Sequence, residues 1–362
     1  MRVILDKIAS VATRVGLQNE IEITDHIPAE RGTVVIVEAL EHKQVYGELE
    51  IVGGTMSAIK QGDIIAGVLG NRQALKGYVG QIPRTVSVGD VLNVLNMGGV
   101  IGECISANAD FGPPLQVRVL GAAVVDGKPA NIANHALPRV KRLTRSAPII
   151  LVSGTCMNAG KTTVACEIVR VLSDRGYRVA AAKLAGVATQ RDLVNMRAQG
   201  AIEALSFSDA GLPSTTNTDD CVVPAAKGVI AALNESRPDA IIVEFGDGIM
   251  GHYGVDLLLG DLELMSHVGA HILCANDLVA AWGGLLFLKQ FGLTVDCVSG
   301  PATDNSAGVD YIRNRFSHEA INARWNPEAL VNIVEKKLFS KGKNKSNNAA
   351  AAQIEVEVAV AS

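Results

Sequence analysis

The chain has 362 residues, 48% of them hydrophobic and 19% charged, and a formal net charge of −4. That length exceeds one ordinary domain, so two domains are expected, each large enough to bury a core without staples. The near balance of charge gives no electrostatic ground for a nucleic-acid partner, and the apolar windows end within about 14 residues, short of a membrane span.

The opening "MRVILDKIASVATRVG" is interrupted by Asp6, Lys7 and Arg14 before an apolar run grows long enough for a secretory signal, which makes a cytoplasmic location the expectation. From there to residue 145 the chain reads as short β-rich runs punctuated by glycine, such as "TVVIVEAL", "DIIAGVLGN" and "LQVRVLGAAVVDG". Within this half "GDIIAGVLGNRQALKGYV" at Gly62 returns as "GDVLNVLNMGGVIGECI" at Gly89. A small duplicated barrel accounts for the return, because each hairpin then needs the other copy to cover its apolar face. The paired Gly-Asp turns resemble the signature of cradle-loop barrels; two ordinary turns in a sandwich are the plainer alternative.

The stretch "NHALPRVKRLTRSAP", Asn134 to Pro148, reads as a linker, and the rhythm changes after it. Apolar strand-like runs ("IILVSG", "VAAAKLAG", "AIIVEFG", "HILCAN", "TVDCVSG") alternate with helical patterns ("KTTVACEIVRVLSDRG", "LVNMRAQGA", "AAKGVIAALNESR", "LVAAWGGLLFLKQFG", "SAGVDYIRNRF", "PEALVNIVEKKLF"). This alternation predicts an α/β fold with a mainly parallel sheet covered on both faces. The expected organisation is a β-rich domain over 1–145, an α/β domain over 146–340 and a low-complexity tail over 341–362, disordered or docked through "IEVEVAV" on a sheet edge. Six scattered cysteines carry no C-x-x-C spacing and read as reduced thiols. His267 and His271, four apart, are a weak metal pair, since Gly269 between them ends a helix and starts a strand.

The chemistry concentrates in "SGTCMNAGKTT", Ser153 to Thr163. An apolar strand feeds Gly154, and after Gly160 the helix places Val164, Ile168, Val171 and Leu172 on one face. Backbone N–H groups from Asn158 through Ala159, Gly160, Lys161 and Thr162 to Thr163 then point into one concavity at a positive helix end, suited to a phosphate. Lys161 sets a point charge between β- and γ-phosphates, and the Thr162 hydroxyl suits Mg2+. Five residues separate Gly154 from Gly160, where the common G-x-x-x-x-G-K-[ST] pattern has four.

With that extra residue the loop, Gly154 and Thr155 through Gly160, Lys161 and Thr162, resembles that of dethiobiotin synthetase and the cobyric acid synthases, P-loop NTPases related to the Min/Par ATPases. The latter's second lysine falls at Cys156 here, which argues against their lysine-swapping dimer mechanism. "PDAIIVEFGDG" is similar to the family's V-E-G-x-G-G strand end and places Glu244 at Mg2+, with Asp247 in reserve. "AAAKLAGVATQRD" is similar to its second strand, so the resemblance implies Lys183 at the γ-phosphate or the activated substrate and Asp192 at the metal; a solvated helix start is the other reading of Asp192. It also implies an asparagine against adenine, with Asn276 and Asn305 as counterparts, and a dimer. Absence of the guanine-reading N-K-x-D motif favours ATP. Cys156, Met157 and Asn158 depart from the family's loop, so substrate identity does not carry over. "GDGIMGHYGVDLLLGD" offers Asp247, His252, Tyr253 and Asp256 for a substrate pocket, and "FSDAGLPSTTNTDD" is either a lid or an ordinary loop.

Two functions are expected to compete. One is an ATP- and Mg2+-dependent synthetase in which Lys161 and Lys183 act on phosphoryl transfer to a small-molecule carboxylate. The other is a regulatory or assembly NTPase whose nucleotide state alters partner binding by the N-terminal domain.

Overall fold

The computed structural model describes residues 1–339, so the expectations for the tail lie outside the described residues. The N-terminal half is an eleven-stranded sheet that closes on itself. Five strands form the ring: β1 (Val34–Ala39), β2 (Ile64–Leu69), β3 (Val91–Val94), β4 (Val100–Ala107) and β5 (Gln116–Val125). β5 pairs with β1, β1 with β2, β2 with β4, β4 with β3, and β3 with β5 again. Closure removes the open edges that an isolated hairpin would expose. The paired Gly-Asp turns are alike in their bonds as well as their letters. Asp63 accepts the amide of Lys60 at 2.6 Å and Asp90 that of Ser87 at 2.8 Å. Gly62 donates to the Ala39 carbonyl at the end of β1, and Gly89 to the Val119 carbonyl of β5, both at 2.8 Å.

The C-terminal half carries six parallel strands: β6 (Ile149–Gly154), β7 (Val179–Ala185), β8 (Glu203–Ser206), β9 (Ala240–Phe245), β10 (Val268–Cys274) and β11 (Cys297–Ser299). Their spatial order is β8-β7-β9-β6-β10-β11. The central strands are buried along their whole length, as parallel strands covered on both faces must be. Alternate residues serve different cores. Ile150 and Val152 of β6 lie under α1 (Lys161–Asp174) with Val164, Ile168 and Leu172, whereas Ile149 and Leu151 join the core that runs on to α3 (Val222–Glu235) and the barrel. Between α1 and α3 lies α2 (Arg191–Ala198), and α4 (Leu278–Gln290) and α5 (Pro327–Leu338) complete the longer helices.

The expected helices are present; the segment from Ser306 is α-helical to Tyr311 and a π-helix from Ile312 to Phe316. The linker is packed rather than free: Leu143 is buried and the Val140 amide donates to the Pro224 carbonyl at 2.9 Å. The reading of 207–220 as a mobile lid gives way to a packed segment, in which Ser214, Thr215, Thr216 and Thr218 are buried. Thr215 Oγ1 receives the Gly186 amide at 2.9 Å and donates to the Tyr253 carbonyl at 2.8 Å. All six cysteines are free, and among the described residues no helix is long and apolar enough to cross a membrane.

Candidate functional site

The loop after β6 runs along the carboxyl ends of the strands, where open α/β sheets collect their ligands. Asn158 at φ +60° and Gly160 at φ +90° turn it into α1; asparagine is among the few side chains that tolerate such a backbone. Gly154 is needed for a different reason. A Cβ there would stand 2.8 Å from both Cγ and Cδ of Lys161, so the lysine stem lies across this residue. The Lys161 ammonium donates to the Cys156 carbonyl at 2.8 Å and thus spans the loop. Behind the loop the buried Ser153 hydroxyl meets His271 Nε2 at 2.7 Å. Burial pushes that imidazole down to about 4, and His267 instead reaches the Leu143 carbonyl. The two histidines therefore have separate structural partners and form no pair.

Of the loop residues, Met157, Asn158, Gly160, Lys161, Thr162 and Thr163 line a cleft of about 420 Å3, while Gly154, Thr155 and Ala159 do not. Lys183, Asp192, Glu244 and Asp247 line the same cleft. Thr162 Oγ1 lies 3.1 Å from Glu244 Oε1 and 3.4 Å from Asp192 Oδ1. These three oxygens come from the start of α1, the start of α2 and the end of β9. Lys183, in β7, donates to Asp192 Oδ2 at 2.5 Å and to Thr189 Oγ1 at 3.3 Å.

The electrostatics follow from burial and crowding. Burial and the neighbouring Asp192 carboxylate push Glu244 up to about 7, against the pull of Lys183 and Lys161. Burial acts the same way on Asp192, but Lys183 outweighs it and holds that carboxyl below its ordinary value. For Lys183 burial is outweighed by Asp192 and Glu244, and its ammonium is favoured. Glu244 Oε2 is buried without a hydrogen-bond partner. Two carboxylates and a hydroxyl converging around an unpartnered oxygen are the donor set of a hard divalent cation, so Thr162, Asp192 and Glu244 fit Mg2+.

The opposite wall comes from the N-terminal half, which the sequence did not point to. Tyr46, Arg72, Asn96 and Met97 line the cleft there. Arg72 is only 2% exposed. Its Nη1 donates to the Tyr46 hydroxyl at 2.7 Å and to the Leu95 carbonyl, and its Nε has no partner. The guanidinium lies 5.5 Å from the Tyr46 ring centroid and 6.0 Å from that of Tyr78, within cation–π range. Asn96 donates to the Ala188 carbonyl at 2.8 Å and accepts the Val100 amide at 2.9 Å, tying barrel to loop.

Among the residues after β9, Asp247 and Tyr253 line the cleft and His252 and Asp256 do not. Burial pushes Tyr253 up to about 12 and raises Asp247, neither of whose carboxylate oxygens has a partner. Neither Asn276 nor Asn305 lines the cleft. Asn276 Nδ2 sits 3.0 Å from Cys156 Sγ, and Asn305 caps the helix at Ser306 by accepting the Ala307 and Gly308 amides. Arg324, from the segment before α5, is a further lining residue that the sequence did not mark.

Strand, loop and helix have the arrangement of a P-loop domain. No protein-family model matches the chain, and no curated protein is similar to it in sequence. Several solved structures share part of the fold. Chloroplast FtsY from Physcomitrella patens is 16% identical, with 50% of this chain and 61% of that one covered and a TM-score of 0.36. The signal recognition particle 54 kDa protein from Aeropyrum pernix K1, in complex with GDP, is 18% identical, with 58% and 50% covered and a TM-score of 0.37. HypB from Helicobacter pylori, in complex with nickel, is 13% identical, with 53% and 87% covered and a TM-score of 0.35. The chain thus spans 61% and 50% of the length of the first two. Likenesses of this extent carry no information on activity.

Proposed function

We propose that the protein is a Mg2+-dependent enzyme that transfers the γ-phosphoryl group of a nucleoside triphosphate to a small-molecule carboxylate. One observation carries the reading: Lys161, Thr162, Asp192 and Glu244 share a single cleft of about 420 Å3 with Arg72, Tyr46 and Tyr253 from outside the loop. A phosphate cradle alone needs no second wall, and this volume is that of a small-molecule pocket.

The amides from Asn158 to Thr163 hold the phosphates, and Lys161 leaves the Cys156 carbonyl for the β- and γ-oxygens. Thr162, Asp192 and Glu244 hold Mg2+, which supplies charge neutralisation at the transferring group. Lys183, buried beside Asp192, adds a second cation on the γ-side. Arg72 holds the acceptor's carboxylate by its planar fork. A carboxylate oxygen bonds to the γ-phosphorus as the bond to the nucleoside diphosphate breaks. The resulting acyl phosphate is open to an amine, which displaces inorganic phosphate and gives a ligase-like product.

The test is nucleoside diphosphate release from Mg-ATP and Mg-GTP across a panel of small carboxylates, with Lys161→Ala as control. Stimulation by one carboxylate class, lost in the control, is expected; turnover indifferent to every member of the panel excludes the reading. A second reading, a regulatory NTPase, is favoured by one feature: Glu50 of the N-terminal half binds the start of α2, the helix that carries Asp192. It expects the barrel to bind a protein partner differently in triphosphate and diphosphate states, and equal binding removes it.

A further inference from the structure

Buried polar side chains are nearly always paired, so each one left without a partner calls for an explanation. Among the described residues seven buried side-chain nitrogen and oxygen atoms have no hydrogen-bond partner. Four of the seven, Glu244 Oε2, Arg72 Nε and both carboxylate oxygens of Asp247, belong to residues that line the one cleft of about 420 Å3. Glu244 Oε2 has its place in the Mg2+ set. The other three have none in the grip on phosphates and metal.

Asp247 stands apart from the metal carboxylates. Asp192 is the carboxylate that pushes Glu244 up, and Asp247 is not among the groups acting on it. The cations that bear on Asp247 are Lys161, Arg72 and Lys183. Lys183 is engaged by Asp192 at 2.5 Å and Lys161 by the Cys156 carbonyl at 2.8 Å, and neither donates to Asp247. Arg72, from the other half of the chain, spends Nη1 on the Tyr46 hydroxyl and the Leu95 carbonyl and keeps Nε free. The Tyr253 hydroxyl feels both side chains, pulled down by Arg72 and pushed up by Asp247. One free guanidinium donor and two free carboxylate acceptors around the same tyrosine are the complement of a zwitterion.

We propose that the phosphoryl acceptor is an amino acid, whose carboxylate lies on Arg72 and whose ammonium lies on Asp247. The proposal rests on the reading that this cleft phosphorylates a small carboxylate, and it names the class. An ionised carboxylate only accepts hydrogen bonds and an ammonium only donates them, so the two are matched in kind. A buried carboxylate without a counter-charge is costly, and a ligand's cation relieves that cost where a neutral substituent does not. An acceptor that is purely anionic also meets the triphosphate as like charge, which an ammonium offsets. The ammonium is held and not transformed: it keeps its protons, and the bonds that form and break are those of the phosphoryl transfer to the carboxylate.

The experiment measures nucleoside diphosphate release by the full chain with Mg-ATP and Mg-GTP, each amino acid being set against the same acid without its amino group. The pairs are glycine with acetate, β-alanine with propionate, 4-aminobutyrate with butyrate, aspartate with succinate and glutamate with glutarate. At least one amino acid is expected to stimulate release with a kcat/KM about tenfold or more above its partner, the scale of one charge-assisted hydrogen bond. N-acetylation of that amino acid removes the charge and should remove the advantage. Asp247→Asn, with its folding checked by the thermal transition, should bring the ratio toward one; asparagine tolerates the φ of +63° found here. The wild-type comparison with the N-acetyl compound decides the matter even where the variant does not fold. If carboxylates stimulate release but no amino acid exceeds its partner, or if the advantage survives Asp247→Asn, the amino-acid site is overturned and phosphoryl transfer to a carboxylate stands. If no member of either set stimulates release, both are overturned.

Discussion

Glu50, in the short N-terminal strand Glu48–Glu50, accepts the backbone amides of Gln190 and Arg191 at 2.5 and 2.8 Å, and is itself only 1% exposed. A side chain from one half of the chain thereby caps the helix that carries Asp192 in the other. Removing the carboxylate leaves two N–H groups without acceptors in a buried place, at about 1–3 kcal/mol each. Glu50→Ala is expected to lower the thermal transition by that order and to weaken Mg2+-dependent nucleotide binding, because the start of α2 loosens. Glu50→Gln keeps one good acceptor and should fall between the two. Thermal melts combined with Mg2+ titrations check this; a Glu50→Ala protein that melts lower but binds Mg2+ and nucleotide normally makes the cap purely structural.

The contact also marks the limit of what the chain reveals before folding. Strands β6, β7, β9 and β10 are legible because burial on both faces turns them into nearly continuous apolar runs. β8, "EALS", is too short and begins with a charge, so it goes unseen. Lys161, Thr162 and Glu244 are legible for a local reason, since each sits beside the strand that aims it. Asp192 and Lys183 are weaker local signals that the structure brings together. Arg72, Tyr46 and Glu50 carry no such signal, because their role depends on barrel closure and on docking against residues far along the chain.

Gly154 and Lys161 form a pair that a double-mutant cycle can resolve. Gly154→Ala puts a methyl group against the lysine stem, where Cγ and Cδ would lie 2.8 Å away, and should displace the ammonium from the loop. Nucleotide affinity is expected to fall about tenfold or more in Gly154→Ala and in Lys161→Ala. The double variant should be no weaker than Lys161→Ala alone, since the methyl group then has nothing to displace. Additive losses would mean that Gly154 acts on the loop backbone instead.

The carboxyl pair predicts a pH dependence of stability. Glu244 stands at about 7 in the fold against an ordinary 4.5, so between those values the folded chain holds a proton that the unfolded chain has released. Stability from this group therefore falls as pH rises through that window, by on the order of 3 kcal/mol in all. His271, pushed down to about 4 from 6.5, has the opposite sign: the unfolded chain binds the extra proton, and stability rises with pH up to about 6.5. The two slopes oppose each other in wild type. The difference between wild type and Glu244→Gln isolates the first, and denaturant titrations at pH 5 and pH 7.5 should show the variant gaining on wild type at the higher pH. A difference that does not change with pH would mean Glu244 is ionised throughout. Mg2+ favours the ionised carboxylate, so its binding near pH 6.5 should release protons, read from the buffer dependence of the binding enthalpy.

Arg72 separates binding of the nucleotide from binding of its acceptor. The guanidinium is fixed by the Tyr46 hydroxyl and the Leu95 carbonyl and lies against two aromatic rings; its fork is held before any ligand arrives. Arg72→Lys retains the charge but loses the planar bidentate geometry and the stacking. It is expected to raise the carboxylate concentration needed for half-maximal nucleoside diphosphate release by about tenfold, a loss on the scale of one charge-assisted hydrogen bond. Affinity for the nucleotide should stay within about twofold, because the phosphates lie on the loop and not on Arg72. Steady-state kinetics with calorimetry on the same preparations tests both halves. Equal loss of nucleotide and carboxylate binding would place Arg72 on the phosphates, and an unaltered carboxylate response would move the acceptor elsewhere in the cleft, toward Arg324.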